Sequence, residues 1–310
     1  MTKIAIGTVQ FGQKYGITNK LGQVGKLEVK KILELAREKK IDLLDTAITY
    51  GNSEKVLGEI GVSNFSIVTK LPDCPINSLN LSLWVKNQIK ESLSRLGINS
   101  LYGLLVHRPE NLFGSLGVKL RDVLYELKSD GLIKKIGVSI YNPNDLFEIT
   151  KNIKLDIVQA PINLIDQRLQ TSGWLSRLYN NGVEIHSRSS FLQGLLLLPR
   201  KKIPAKFERW SFIWDRWEEK KKNCSKSALQ LCLDYPMSLP EINKIIVGVD
   251  NSEHLQAIFL ASKSIIKSND DHSFISSNDN LLINPFLDLL QADQIILKIF
   301  YLSLLSLLHS

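Results

Sequence analysis

Cysteine is scarce in this chain and patterned metal ligation is missing: Cys74, Cys224 and Cys232 are odd in number and include no Cys-x-x-Cys pair. That removes a disulfide framework and a structural zinc site; Cys224 and Cys232 are expected on one helix as small core residues. No apolar leader with a small-residue cleavage site precedes the first strand, since Met1–Gly7 enters strand-like sequence at once. A reducing cytoplasm is the expected setting. Concentrated charge is also lacking: the formal net charge is +8, yet the densest runs, Arg200-Lys201-Lys202 and Lys220-Lys221-Lys222, are short and separate. A nucleic-acid footprint needs clustering on one surface, so a solvated face is the expectation, with a modest field that favours phosphorylated ligands, a dinucleotide included. No apolar run reaches the length of a membrane span; Ile295–Leu308 is about 14 residues against the roughly 20 required. A docking helix, an interfacial segment and an aberrant terminus all stay open for it. Finally, no Gly-x-Gly-x-x-Gly turn follows the first strand, so a dinucleotide has to be held without a Rossmann site.

What is present is a core and a rhythm. With 44% hydrophobic and 23% charged residues the chain is ordinary for a folded protein with a large interior. Strand-length apolar runs alternate with amphipathic helical stretches, the pattern of parallel α/β architecture. The strand candidates are Lys3–Gly7, Leu43–Asp45, Ser66–Thr69, Leu101–Val106, Lys135–Ser139, Ile157–Ala160, Val183–Ser187 and Ile245–Val247. Helical patterns separate them, among them Glu28–Lys39, Leu81–Leu96, Leu116–Ser129, Asn144–Lys151, Trp174–Asn181, Ser225–Tyr235 and Ser252–Ala261. Eight such units predict a single-domain (β/α)8 TIM barrel over residues 1–262, followed by a C-terminal loop and apolar tail over 263–310, with 263–284 read as polar loop. The longest irregular connection, Leu198–Asn223, carries Trp210, Trp214 and Trp217 at helical spacing; packing under a lid-like insert competes there with contact to substrate or cofactor. Nothing in the sequence sets an oligomeric state.

Barrel active sites form at the C-terminal ends of the strands. Four reactive residues fall there: Asp45 ends the second strand, Tyr50 follows it, Lys70 ends the third and His107 the fourth. Singly each is ordinary, since such an Asp caps helices, a Lys is solvated, a Tyr packs and a His is more often structural than catalytic. Together they make one device. A phenol with a pKa near ~10 becomes a competent proton donor when an ammonium stabilises its phenolate. Lys70 supplies that charge, Asp45 holds Lys70 charged and oriented, and His107 orients the carbonyl oxygen beside Tyr50.

The segment Asp45-Thr46-Ala47-Ile48-Thr49-Tyr50-Gly51-Asn52-Ser53-Glu54, then Leu57-Gly58, resembles the signature of the aldo-keto reductase family. Val68-Thr69-Lys70, Leu105-Val106-His107-Arg108-Pro109, Gly7-Thr8-Val9-Gln10-Phe11-Gly12 and Lys134–Ser139 fit in order and spacing, and the resemblance runs from about residue 3 to about 262. It implies reduction of a small-molecule aldehyde or ketone by NADPH, less often NADH, with Tyr50 as general acid, Lys70 and Asp45 lowering its pKa and His107 orienting substrate. The cofactor positions it implies are Gly7 and Thr8 beneath the nicotinamide, Ser139, Gln159 and Asn163 at its carboxamide, and Arg188 and Ser189 where the family stacks a residue on the ring. A guanidinium plane stacks on an aromatic face. Gly248, Asn251 and His254 fall in the adenosine-site segment. Two departures bear on specificity: Ser139-Ile140 replaces the usual Ser-Asn, and Ile246–Glu253 lacks the bases that grip a 2′-phosphate, with Asp250 and Glu253 opposing extra negative charge. Ser187–Leu196 and Gln159–Arg168 are similar to a bacterial branch that accompanies surface-polysaccharide genes, which suggests a sugar-like carbonyl compound. Asn284-Pro285-Phe286-Leu287 is the last stretch resembling the family.

Two readings compete with the reductase. One is a non-catalytic regulatory subunit that keeps the barrel and the cofactor, as potassium-channel β-subunits of the family do. The other is a barrel lyase using Lys70 as a Schiff-base amine, which needs no nicotinamide.

Overall fold

The computed structural model describes residues 2–75, 80–264 and 272–284. Eight parallel strands close on themselves in chain order: β1 (Ile4–Gly7), β2 (Leu43–Asp45), β3 (Ser66–Leu71), β4 (Leu101–Val106), β5 (Ile133–Ser139), β6 (Ile157–Pro161), β7 (Glu184–Arg188) and β8 (Ile242–Gly248). Closure comes from β8 pairing back on β1, with Ile4 opposite Ile245 and Gly7 opposite Gly248. This is the (β/α)8 barrel that the alternation of the sequence predicts.

Most strands are apolar on both faces because each is covered twice, β5 and β7 being the exceptions on their inward side. Ile6, Leu44, Ile67, Leu104, Val138, Val158 and Val247 point outward into the large core shared with the helices. The residues in between, Ala5, Leu43, Val68, Leu105, Ile157 and Ile246, form a second, separate cluster inside the barrel. The interior is therefore a packed plug rather than a pore. Below it Glu184, Lys135 and Tyr102 form a polar cluster: Lys135 bridges Glu184, and Tyr102 donates to Glu184 at 2.9 Å.

Local chemistry sets where the helices start and stop. Asn80 accepts from the Leu83 amide to open Leu81–Leu96, and Gly97 closes it at φ 66°. A capping box between Ser227 and Gln230 opens Ala228–Ser238, three residues past the expected start at Ser225. Cys224 consequently lies off that helix, half-buried, while Cys232 is inside it and fully buried; the expectation of both cysteines on one helix is corrected.

The connection after β7 is not irregular. Short 3-10 turns lead into a helix at Ser211–Lys222. Trp210, Trp214 and Trp217 are buried, and their indole N–H groups donate to Asp279, to the Phe207 carbonyl and to the Leu196 carbonyl at 2.8–3.0 Å. They pack the insert and do not face the cavity described below.

The described part of the C-terminal stretch is also more ordered than a polar loop. Ser273–Ile275 is a 3-10 turn, Asn280–Ile283 a helical turn, and Ile275, Leu282 and Ile283 are buried. Residues 265–271 and the apolar run Ile295–Leu308 lie outside the described residues. Among those described, no helix is long and apolar enough to cross a membrane.

Candidate active site

The interior cluster dictates the site. Side chains alternate along a strand, so the residues two positions beyond the plug face the barrel mouth. From β1 round to β8 these are Gly7, Asp45, Lys70, His107, Ser139, Gln159, Arg188 and Gly248. One residue per strand, His107 being just past the end of β4, converges on a single space.

Lys70 and Asp45 are 1% and 4% exposed, and the ammonium donates to Asp45 Oδ2 at 2.7 Å and to the Thr46 carbonyl at 2.8 Å. The other carboxylate oxygen accepts from Gln159 Nε2 at 2.7 Å. Gln159 thus fixes the carboxylate that fixes the lysine. Lys70 Nζ lies 5.0 Å from the centroid of the Tyr50 ring, and the Tyr50 and His107 rings meet edge to face at 6.1 Å.

Tyr50 is held by backbone. Gly51 sits at φ 54°, and Gly12 comes so close that a Cβ there would lie 1.8 Å from the Tyr50 carbonyl oxygen. Only glycine lets these two turns pack backbone against backbone. Ser53 completes the lock: its hydroxyl donates to Thr8 Oγ1 at 2.9 Å and its backbone N–H donates to the Tyr50 carbonyl at 3.0 Å.

The electrostatics differ in one respect from the sequence expectation. Burial, then the charge of Asp45, pushes the Tyr50 phenol up, and Arg188 rather than Lys70 opposes this. The ammonium of Lys70 is compensated by Asp45, so the phenol is a protonated donor, not a stabilised phenolate. Burial likewise lowers Lys70 while Asp45 raises it. His107 is pushed down to about 3 by burial and by the charges of Lys70, Arg188 and Arg108, so it is a neutral imidazole at physiological pH.

These groups open on a cavity of about 310 Å³. Of the candidate positions, Gly7, Thr8, Asp45, Tyr50, His107, Ser139, Gln159, Arg188, Ser189, Gly248 and His254 line it. Lys70 stands behind Asp45 and Tyr50. Asn163 and Asn251 are not in the lining: Asn163 accepts from the Ile165 and Asp166 amides and donates to the Ser189 carbonyl, and Asn251 caps the helix Ser252–Lys263 by accepting from the His254 amide. Both shape the walls from outside.

The sequence reading missed Gln10, Tyr15, Tyr141, Ser190 and Gln193, all of which line the cavity. Three of them carry buried polar atoms without a partner, Gln10 Oε1, Ser190 Oγ and Gln193 Oε1. Buried polar groups are normally satisfied, and three orphans around one cavity mark a polar ligand surface. The floor is tightly packed: a Cβ at Gly248 would sit 2.3 Å from Gln10 Nε2 and one at Gly7 would meet Ile246 at 3.0 Å. At the β8 end Asp250 faces the cavity with His254 and accepts from Asn19, and burial raises its carboxyl. Opposite, the backbone of Ser189, Leu192 and Gln193 adopts positive φ, and Gly194 presses against Thr18 from the loop after β1. Among the described residues no three His, Cys, Asp or Glu side chains gather as a metal ion would require.

The buried lysine–aspartate pair thus stands beneath a cavity of mixed polar and apolar lining at the mouth of the closed barrel. The model of the Aldo/keto reductase family matches residues 3–278, and the chain belongs to that family. It is 26% identical over 227 residues to the NADH-specific methylglyoxal reductase of Escherichia coli, covering 65% of this chain and 69% of that one. An oxidoreductase of Bacillus subtilis, YqkF, is 24% identical over 252 residues, covering 73% and 79%. Among solved structures, the holo form of aldo-keto reductase AKR11C1 from Bacillus halodurans superposes with a TM-score of 0.69 at 18% identity, covering 88% and 90%. The last is a likeness of fold.

Proposed function

We propose that this oxidoreductase reduces the carbonyl group of a small aldehyde or ketone with hydride from a nicotinamide dinucleotide, Tyr50 acting as general acid. The observation that carries the reading is the buried chain Gln159–Asp45–Lys70 ending under Tyr50 at the wall of the cavity. When bound, the dinucleotide supplies the hydride. The chain's own residues do the rest. Tyr50 holds a proton that burial keeps on the phenol until a carbonyl oxygen gathers negative charge beside it. His107, neutral and 6.1 Å from Tyr50 between ring centroids, donates a hydrogen bond to the same oxygen. Arg188, with Lys70 5.0 Å from the ring centroid, supplies the positive charge that steadies the phenolate left after the proton has gone. Gly7 and Gly248 let the dinucleotide approach the strands, and Ser139, Gln159, Gln10 and Ser190 offer it hydrogen bonds.

The sequence resemblance points first to NADPH. The adenosine end favours NADH instead: Asp250 faces the cavity there, His254 is the basic residue beside it, and a 2′-phosphate would bring two more negative charges to that carboxyl. The Escherichia coli relative is likewise an NADH-specific reductase.

Calorimetric titration with NADH and NADPH, followed by turnover of wild type and Tyr50→Phe on methylglyoxal and on simple aldehydes, tests both parts. Saturable NADH binding tighter than NADPH is expected, with turnover in Tyr50→Phe lower by at least ~100-fold and binding retained. Undiminished turnover in that variant removes Tyr50 from the acid role. Failure of the folded protein to bind either dinucleotide removes the reductase reading and moves the Schiff-base role of Lys70 ahead.

A further inference from the structure

We infer that Arg188 makes this site discriminate between the two redox states of a nicotinamide, holding the neutral reduced ring more tightly than the cationic oxidised one. The inference rests on the reductase reading above. It begins with a charge count at the barrel mouth. Lys70 is matched by Asp45. Arg188 is half-buried and, among the described residues, its guanidinium meets only neutral groups: it donates to the Ile140 carbonyl at 3.1 Å and to Ser189 Oγ at 3.3 Å, and it lies over the Tyr141 ring at 4.1 Å. His107 stays neutral. The ionised groups acting on Tyr50, Lys70 and His107 are Asp45, Lys70, Arg188 and Arg108, a surplus of two positive charges; Arg108 is exposed and acts on His107 alone, whereas Arg188 acts on all three.

Chemistry places the ring close to that surplus. Hydride and proton go to the two ends of one carbonyl bond, the hydride to carbon and the Tyr50 proton to oxygen, so the donor ring must lie within reach of Tyr50. The reduced ring is uncharged. Losing hydride, two electrons and a proton, leaves it with one positive charge, next to an unmatched guanidinium in a partly desolvated cavity where like charges repel more strongly than in water. Asp250, the other carboxyl lining the cavity, sits with His254 and is not among the charges felt at Tyr50. This holds whether the guanidinium stacks on the ring or lies beside it.

The consequence is a site loaded with the reduced form even against an excess of the oxidised one, and one that discharges the spent form readily. It carries a cost: the bound couple becomes more oxidising by about 30 mV for each tenfold ratio of affinities.

Isothermal titration of the full chain with NADH and, separately, with NAD+ tests this without turnover. Wild type is expected to bind NADH between about tenfold and a hundredfold more tightly, the span of one unscreened charge pair of this kind. Arg188→Gln is expected to reduce that ratio about tenfold, and Arg188→Lys, which keeps the charge but not the planar fork, to preserve most of it. A purely structural role would weaken both ligands alike and leave the ratio unchanged. Equal affinities in wild type overturn the inference, even if a variant fails to fold, and leave the reductase standing. Loss of binding for both ligands in wild type overturns the two together.

Discussion

The most exacting perturbation is Asp45→Asn, which removes one negative charge and almost no volume. Asp45 accepts from Gln159 on one oxygen and from Lys70 on the other, each at 2.7 Å. An amide has one acceptor, so one donor is left facing an N–H group. At 2.7 Å and an effective dielectric constant of about 20 the ion pair gains on the order of 6 kcal/mol. Desolvating both ions offsets much of that, but the variant keeps the cost of Lys70 and loses its return, which sets the expected destabilisation at about 3–5 kcal/mol at pH 7. In melting temperature this is roughly 6–10 °C. Burial already lowers the Lys70 pKa and Asp45 is what raises it. In the variant the unfolded chain therefore binds the extra proton, stability rises with pH, and the deficit shrinks between pH 7 and 9.5. Pairing Asp45→Asn with Lys70→Met removes the stranded charge and should recover most of the loss. Urea unfolding followed by tryptophan fluorescence gives all four corners of the cycle. A single variant within about 1 kcal/mol of wild type, or a double variant no better than the single, refutes the argument.

Other outcomes follow from the same charges. NMR titration from pH 8 to pH 5 should leave the His107 ring neutral throughout, its signals identified by their loss in His107→Gln, because its pKa is down at about 3; an inflection near 6.5 contradicts the assigned environment. Because unfolding frees this imidazole to take a proton, His107 also withdraws stability as pH falls from about 6.5 toward about 3. Burial pushes Glu184 up, but hydrogen bonds from His186, Lys135 and Tyr102 outweigh it and hold the carboxyl at about 2. The depressed carboxyl contributes stability above about pH 4.5 that is lost as pH falls toward 2. Glu184→Gln should accordingly be less stable than wild type at pH 7, with the gap closing on acidification; a gap independent of pH rules out the linkage.

The fold was legible because strands covered on both faces read as short continuous apolar runs, and Leu43–Asp45 and Leu101–Val106 begin and end where the sequence places them. Boundaries slipped where side-chain capping decides them, as at Ser227. The insert after β7 was less legible, since lysines and arginines break its composition while the tryptophan spacing alone carries its helix. In the site, Asp45, Lys70 and His107 could be found from strand ends. Tyr15 and Tyr141 could not, because their place on the cavity wall depends on loop paths fixed by distant packing. Asn163 and Asn251 show the reverse: sequence marks them as contacts, but backbone groups next to each already occupy their side chains.

The ring of eight positions around the barrel mouth has a consequence for how such a protein can change. Six of the positions sit one pleat above a plug residue on their own strand, and Ser139 and Arg188 sit above Gly137 and His186, so a side chain here can be exchanged without shifting the register. Asp45, His107 and Arg188 occupy eight-way interchangeable sockets whose number and spacing are fixed by closure of the sheet. A deletion of one residue within any strand would turn its socket outward into the helices and remove the whole contribution of that strand. A point replacement here costs only the contacts of the side chain replaced, as at Asp45, whereas a shift of register costs a whole strand, which makes the chemistry of the mouth adjustable one strand at a time.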